Sequence, residues 1–201
     1  MKSATKNNVF LWFATEKRLK KDKSEEDDPA EMGEALLGRV EFELFDEDTP
    51  RTCKNFRSLA SGEKGKGKSG KKMHYKDTPV HRVVAGKFVQ SGDFVKGTGG
   101  FGESVFGGSF KDEPKGLKKT IGEAGVLAMA NGGKNSNTSQ FFVTLAACPD
   151  LEGSHVVFGR VVAGMEVIER IAAYHARHEQ AGQEGWAKVS PVFIWQCGVC
   201  D

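Results

Sequence analysis

Short apolar runs separated by glycine-rich turns constrain the fold of this chain more than any other feature. The 201 residues include 25 glycines, a larger share than the ~7% usual in proteins, and this favours many turns. Alternation of apolar and polar residues, or a short apolar run between turns, predicts a strand. Such runs occupy seven segments: 9–14, 38–45, 81–94, 125–130, 141–145, 156–162 and 192–197.

Two further segments have the apolar spacing of amphipathic helices. The first follows Thr49-Pro50, an expected N-cap with proline at the first helical position, and it ends at Gly62. The second spans residues 165–175. Because strands and helices do not alternate along the chain, we expect a mainly β fold, either an antiparallel barrel or a sandwich plugged by helices.

Length and charge restrict the class of protein. A chain of 201 residues with a net charge of +2 predicts one domain, residues 1–201, without a field that demands nucleic acid. No apolar run approaches the ~20 residues of a membrane span or resembles a signal peptide. We therefore expect no membrane association and a cytoplasmic location, with the nucleus as the alternative. No apolar stripe is left unexplained, which favours a monomer.

Two charged segments interrupt the apolar pattern. Residues 16–34 hold a basic block followed by an acidic block, and residues 63–72 are rich in lysine and glycine. Neither segment has much to bury, so we expect both to be solvated loop insertions. A docking tag is the alternative for the first, and contact with RNA or an acidic partner for the second. Nucleic acid is not expected, because no aromatic side chains interleave the lysines.

Neither of two motif-like segments indicates a metal or a cofactor. Cys197-Gly198-Val199-Cys200 is a C-x-x-C without a second ligand pair or a following helix. Residues 97–102 are rich in glycine but lack the Gly-Lys-Ser/Thr of a phosphate loop. We expect no cofactor and no metal ion.

Two segments carry polar side chains inside apolar surroundings. Residues 81–94 place Arg82 and Gln90 an even number of positions apart, so the two could share one face if the region of Gly86 bends without breaking the count. Residues 129–143 place amides beside aromatic residues. An arginine in an apolar strand needs a partner or a function. Together the segments predict a pocket that binds a peptide by hydrogen bonds and receives an apolar ring.

From about Val9 to Gly198 the chain resembles the cyclophilins, the family of peptidyl-prolyl cis-trans isomerases. The most specific matches are FELF at 42–45, NFR at 55–57, SGEKG at 61–65, HRVVAGKFVQSGDF at 81–94, MAN at 129–131, SQFFV at 139–143 and GSHVVFG at 153–159. The resemblance implies an eight-stranded antiparallel closed barrel capped by two α-helices. It also implies an interior filled by side chains, so that the ligand binds on an outer face.

Residue by residue, the resemblance implies that Arg82 is catalytic. The positions that it implies for substrate binding are Phe88, Gln90, Ala130, Asn131, Gln140, Phe142, Leu151 and His155. Two positions depart from the family pattern: Lys87 replaces an aromatic wall of the proline pocket, and Asp150 replaces a tryptophan that donates to the inhibitor cyclosporin in many members. Phe88 could refill the space, or Lys87 could turn its stem inward and its ammonium to water.

The resemblance implies a peptidyl-prolyl cis-trans isomerase that assists protein folding. The alternative is a catalytically impaired cyclophilin-like module that binds proline-containing segments. Either reading makes proline-containing peptides and proteins the partners. We expect weak cyclosporin binding, because an ionised aspartate at position 150 cannot donate a hydrogen bond.

Overall fold

The computed structural model describes residues 8–15, 33–180 and 192–200, with no account of the side chains of 178–180. Most of the predicted charged insertion at 16–34 therefore lies outside the described residues. The described part contains eight strands: β1 Val9–Ala14, β2 Leu36–Leu44, β3 Arg82–Val84, β4 Phe88–Ser91, β5 Val126–Met129, β6 Phe141–Thr144, β7 Val157–Ala163 and β8 Phe193–Val199.

All eight strands belong to one antiparallel sheet in the order β3-β4-β6-β5-β7-β2-β1-β8. The prediction of a mainly β fold is confirmed, but the closed barrel is not, because within the described residues β3 and β8 are edge strands of an open sheet. The segment before β3 approaches β8 instead. There the Val80 and Asp77 amides donate to the carbonyls of Val192 and Ile194 at 2.9 and 2.7 Å. Alternation of apolar and polar side chains predicts individual strands. It does not predict whether the two edge strands of a sheet pair with each other and close a barrel.

Strands β4, β5 and β6 supply two separate apolar clusters, one on each face. Val89, Leu127 and Val143 belong to the main core, whereas Phe88 and Phe142 belong to a smaller cluster. Successive residues of a strand point to opposite faces, so one stretch of chain both fills the core and lines an outer surface. The candidate site lies on that outer surface.

The helices seal the main core. Helix α1, Pro50–Ser61, buries the Phe56 ring 5.1–5.9 Å from the rings of Phe42, Tyr75, Phe141 and Phe158. Helix α1 ends where Gly62 adopts a left-handed φ of 69°, as glycine readily does. The last helix, Met165–Gln180, continues beyond the predicted end at residue 175. Among the described residues, none of the helices is long and apolar enough to cross a membrane.

The expectation of two helices is wrong, because a third, short helix Pro114–Leu117 (α2) lies between them, which makes Met165–Gln180 helix α3. A single turn contains too few residues to show helical periodicity. The residue before it, Glu113, also replaces the expected cap of α1. Its carboxylate accepts from the Thr52 and Arg51 amides at 2.8 and 3.0 Å, whereas the Thr49 side chain makes no cap bond.

The lysine-glycine loop at 63–72 is held to the body of the protein by one acidic side chain. The Glu103 carboxylate accepts from the backbone amides of Lys68 and Ser69 at 2.6 and 3.0 Å. Burial by itself would raise the pKa of Glu103, but these hydrogen bonds outweigh it and the pKa is lowered. The loop therefore has an ordered backbone while all five of its lysines are exposed: Lys64, Lys66, Lys68, Lys71 and Lys72.

Candidate active site

Arg82 and Gln90 face each other across a hairpin rather than along one strand. The predicted single strand 81–94 is in fact β3 and β4, joined by a turn in which Gly86 has a φ of 69°. Arg82 pairs directly with Gln90, and Val84 pairs with Phe88. Directly opposed residues share a face, so the predicted common surface exists, but cross-strand pairing creates it.

The hairpin forms one side of a pocket of about 290 Å³. The pocket brings together every sequence-predicted site residue except Gln140. Its lining consists of Arg82, Val84, Lys87, Phe88, Gln90, Ala130, Asn131, Phe142, Asp150, Leu151 and His155. The sequence pattern did not single out Val84, although its position two residues after Arg82 puts it on the same face.

Aromatic contacts form the floor of this pocket, defined here as Phe88, Phe142, Leu151 and His155. The Phe142 side chain is 2% exposed, and its ring centroid lies 5.1 Å from Phe88 and 5.2 Å from His155. His155 Nδ1 lies 2.9 Å from the Met129 carbonyl oxygen. A ring nitrogen can bond a carbonyl only as a donor, so the proton lies on Nδ1. The floor is a preformed apolar seat.

A chain of side-chain amide groups positions Gln90, which forms the polar wall of the pocket. Gln90 Nε2 donates to Gln140 Oε1 at 2.9 Å, and Gln140 Nε2 donates to the carbonyls of Gly99 and Phe101 at 3.0 and 2.6 Å. Gln140 therefore lies behind the wall and holds Gln90, instead of lining the pocket. Its role could not be read from strand spacing, because its acceptors lie in a distant loop.

Arg82 lies at the pocket with its charge uncompensated by any carboxylate of the described residues. Its guanidinium carbon lies 5.2 Å from the centroid of the Phe88 ring, within cation–π range. Its Nη1 lies 3.5 Å from Gln90 Oε1, at the outer limit of a hydrogen bond. The guanidinium thus has donors free for a ligand.

The backbone of Asn131 is also free for a ligand. Its side chain is tied down, because Nδ2 donates to the Ser154 carbonyl at 2.9 Å and Oδ1 accepts from the Gly133 amide at 3.2 Å. Its own backbone N–H and carbonyl bond to nothing among the residues that the structure describes. An extended peptide could pair with these groups beside the apolar floor. No group of three or more metal-binding side chains occurs in the described part of the chain.

Comparison with known proteins identifies the family. The model of the "Cyclophilin type peptidyl-prolyl cis-trans isomerase/CLD" family matches residues 30–199. The chain belongs to the cyclophilin family. The NK-tumor recognition proteins of Mus musculus and Homo sapiens are each 52% identical to it over 142 residues, which cover 70% of this chain. The match spans only 10% of the length of either relative.

The two departures from the cyclophilin pattern form an ion pair at the mouth of the pocket. Lys87 Nζ lies 2.8 Å from Asp150 Oδ2, and the two side chains are 47% and 56% exposed. Their mutual hydrogen bond raises the pKa of Lys87 and lowers that of Asp150. We call this pair the rim. Opposite charges at two positions of one expected pocket are the signal in the sequence that indicates such a pair.

Phe88 packs on the floor beneath the rim. It is 7% exposed and tilts against Phe142. Phe88 therefore lines the pocket from below, and the refilling of the aromatic wall stays a prediction. The Lys87 ammonium, for its part, turns to Asp150 as well as to water.

Proposed function

We propose that this cyclophilin-family chain is a peptidyl-prolyl cis-trans isomerase, an activity that would assist protein folding. The observation that carries the proposal is the Arg82 guanidinium, free of any carboxylate of the described residues, beside the apolar floor of the pocket. Membership of the family supports proline-containing peptides as substrates.

The reaction needs rotation about one bond and no change in covalent structure. The partial double bond of an X-Pro amide sets a barrier of about 18–20 kcal/mol, and uncatalysed exchange takes ~10–100 s. Phe142, Leu151 and Phe88 would hold the proline ring. Gln90 and the Asn131 backbone would bind the flanking peptide, so that one half stays fixed while the other turns.

Arg82 would act on the twisted state. As conjugation is lost, the proline nitrogen regains a lone pair that can accept a hydrogen bond, so a guanidinium donor beside it binds the twisted state better than either planar state. A charge-assisted hydrogen bond contributes ~1.5–3 kcal/mol, which corresponds to a rate effect of roughly 10- to 100-fold. The remaining acceleration would come from the fixed geometry of the pocket.

A recognition module with little catalysis is the second candidate function. The rim favours it, since charged groups stand where the family has apolar walls. The similar NK-tumor recognition proteins are also named for recognition. The intact floor, Arg82 and Gln90 favour the enzyme.

Substitution of Arg82 tests the proposal. We expect Arg82→Ala to lower kcat/KM on an Ala-Pro peptide by roughly 10- to 100-fold, measured by NMR exchange or a protease-coupled assay. Circular dichroism should show an unchanged fold, because the side chain is exposed. Arg160→Ala is the matched control. Arg160 is an exposed residue of β7 that pairs with Glu43 of β2, away from the pocket.

Near-normal turnover in Arg82→Ala would contradict the assignment. A wild-type chain that binds the peptide but does not accelerate its exchange would establish the recognition module instead.

A further inference from the structure

The rim lies at one end of the pocket, on two turns. Lys87 lies in the turn of the β3–β4 hairpin, and Asp150 lies in the single 3-10 turn Pro149–Leu151. Arg82 and Gln90 lie at the opposite end of the same hairpin. A peptide whose proline occupies the floor has the rim on one side, where a neighbouring residue can contact Lys87.

The charges of the pocket are unbalanced in favour of an anion. Arg82 and Lys87 are cationic, and Asp150 is the one acidic side chain in the lining. A second acidic group at this end would bring the charge of the site to neutrality. A cationic group at this end would be the third in the site and would meet Lys87.

Lys87 can donate hydrogen bonds to two anions at the same time. An ammonium has three donors, and the described residues engage one of them, with Asp150. The lysine stem is long and flexible, and half of the side chain is exposed. Asp150 has a short side chain on a turn that begins with proline, so it has less reach. Lys87 can thus turn toward a ligand and keep its partner.

We propose that the rim makes this pocket select proline peptides in which an acidic residue adjoins the proline, with Lys87 as the specificity-determining side chain. The inference rests on the proposed function only in that a proline occupies the floor. Lys87 donates to the substrate carboxylate while Asp150 holds the ammonium at the mouth. A bulky apolar neighbour is disfavoured, because it would remove water from a charged pair without replacing its hydrogen bonds.

Three matched peptides test this proposal at each position that adjoins proline, with Glu, Gln or Lys as the only difference. Exchange rates measured by NMR at low salt should give kcat/KM in the order Glu, Gln, Lys. The Glu/Gln ratio should be ~2- to 5-fold, the scale of an exposed ion pair, at one position at least. The ratio should fall as salt is added, because exposed charges are screened.

Two substitutions assign the effect to the rim. Lys87→Met keeps the apolar stem but loses the charge, so it should reduce the Glu/Gln ratio to about 1. Lys87→Glu should reverse the order of the Glu and Lys peptides. Position 87 is exposed, and thermal unfolding would verify that each variant is folded.

A wild-type chain that treats the three peptides alike, or a preference that survives Lys87→Met, would overturn the proposal. Peptide titrations followed by protein chemical shifts separate it from the proposed function. Tighter binding of the Glu peptide without turnover would support selection by the rim and contradict the isomerase activity. Turnover without discrimination among the peptides would support the isomerase activity and contradict selection by the rim.

Discussion

The floor and the rim of the pocket lie a few ångströms apart but obey different physical constraints. Phe142 and Phe88 are 2% and 7% exposed and belong to a packed apolar cluster. The Lys87 and Asp150 side chains are 47% and 56% exposed and contact each other across two turns. Floor residues therefore contribute to stability, whereas an exposed ion pair contributes little to it. Selectivity can change at the rim without loss of the fold.

The largest effect is expected from a substitution in the floor. Phe142→Ala removes a buried ring from the outer cluster, which costs about 3–5 kcal/mol and lowers Tm by about 6–20 °C. Exchange on an Ala-Pro peptide should fall as well, because the proline seat is lost. Lys87→Ala is the matched control: as a truncation at the rim, it should leave Tm within about 2 °C of wild type.

Calorimetric or fluorescence melting of the two variants checks the comparison. Equal shifts in Tm for Phe142→Ala and Lys87→Ala would show that floor and rim contribute equally to stability, which would contradict the comparison.

A smaller effect is expected when the rim is rebuilt toward the family pattern. We expect wild-type chain to bind cyclosporin weakly, and Asp150→Trp to tighten binding about tenfold through a restored indole donor and a removed charge. Asp150→Phe is the control, because it supplies a ring without the N–H. Titration calorimetry provides the constants. A nanomolar Kd for the wild-type chain would contradict this view of the rim.

The smallest effect concerns His81, which lies buried next to Arg82 with 6% exposure. Burial, and to a lesser degree Arg82, lowers its pKa below the ordinary value of 6.5, although Asp93 opposes the shift. Below about pH 6.5 the unfolded chain binds a proton that the native site resists. Stability is therefore full above that pH and falls as the pH is lowered toward the native pKa, by at most about 1.4 kcal/mol per pH unit.

Urea unfolding of the wild type and His81→Phe between pH 5 and 8 would measure the contribution of His81 as a difference. His74 keeps part of the slope in both proteins, since burial also lowers its pKa. Parallel pH profiles for the two proteins would rule out a contribution from His81.

Local patterns predicted a large part of this molecule. Most strand segments and helix α1 follow from periods of two and 3.6 residues, which act over neighbouring positions. Helix α2 escaped prediction because it is a single turn. The N-terminal cap of α1 escaped because Glu113 reaches it from 61 residues away along the chain.

The same limit applied within the site. Resemblance to the cyclophilins placed the pocket residues, and the structure brings eight of the nine predicted positions into one lining. The ninth, Gln140, supports Gln90 from behind through a hydrogen bond between residues 50 positions apart. No local rule relates such positions, because their distance depends on the strand order.

By itself the sequence determined a mainly β chain, since alternation along strands is a property of neighbouring residues, and its resemblance to the cyclophilins implied which side chains would bind a prolyl peptide. Only the tertiary structure decided that Arg82 stands opposite Gln90 across a hairpin, that β3 and β8 do not pair with each other in the described residues, and that Lys87 meets Asp150. Charges 63 residues apart in the chain become partners only when strand pairing brings their turns together.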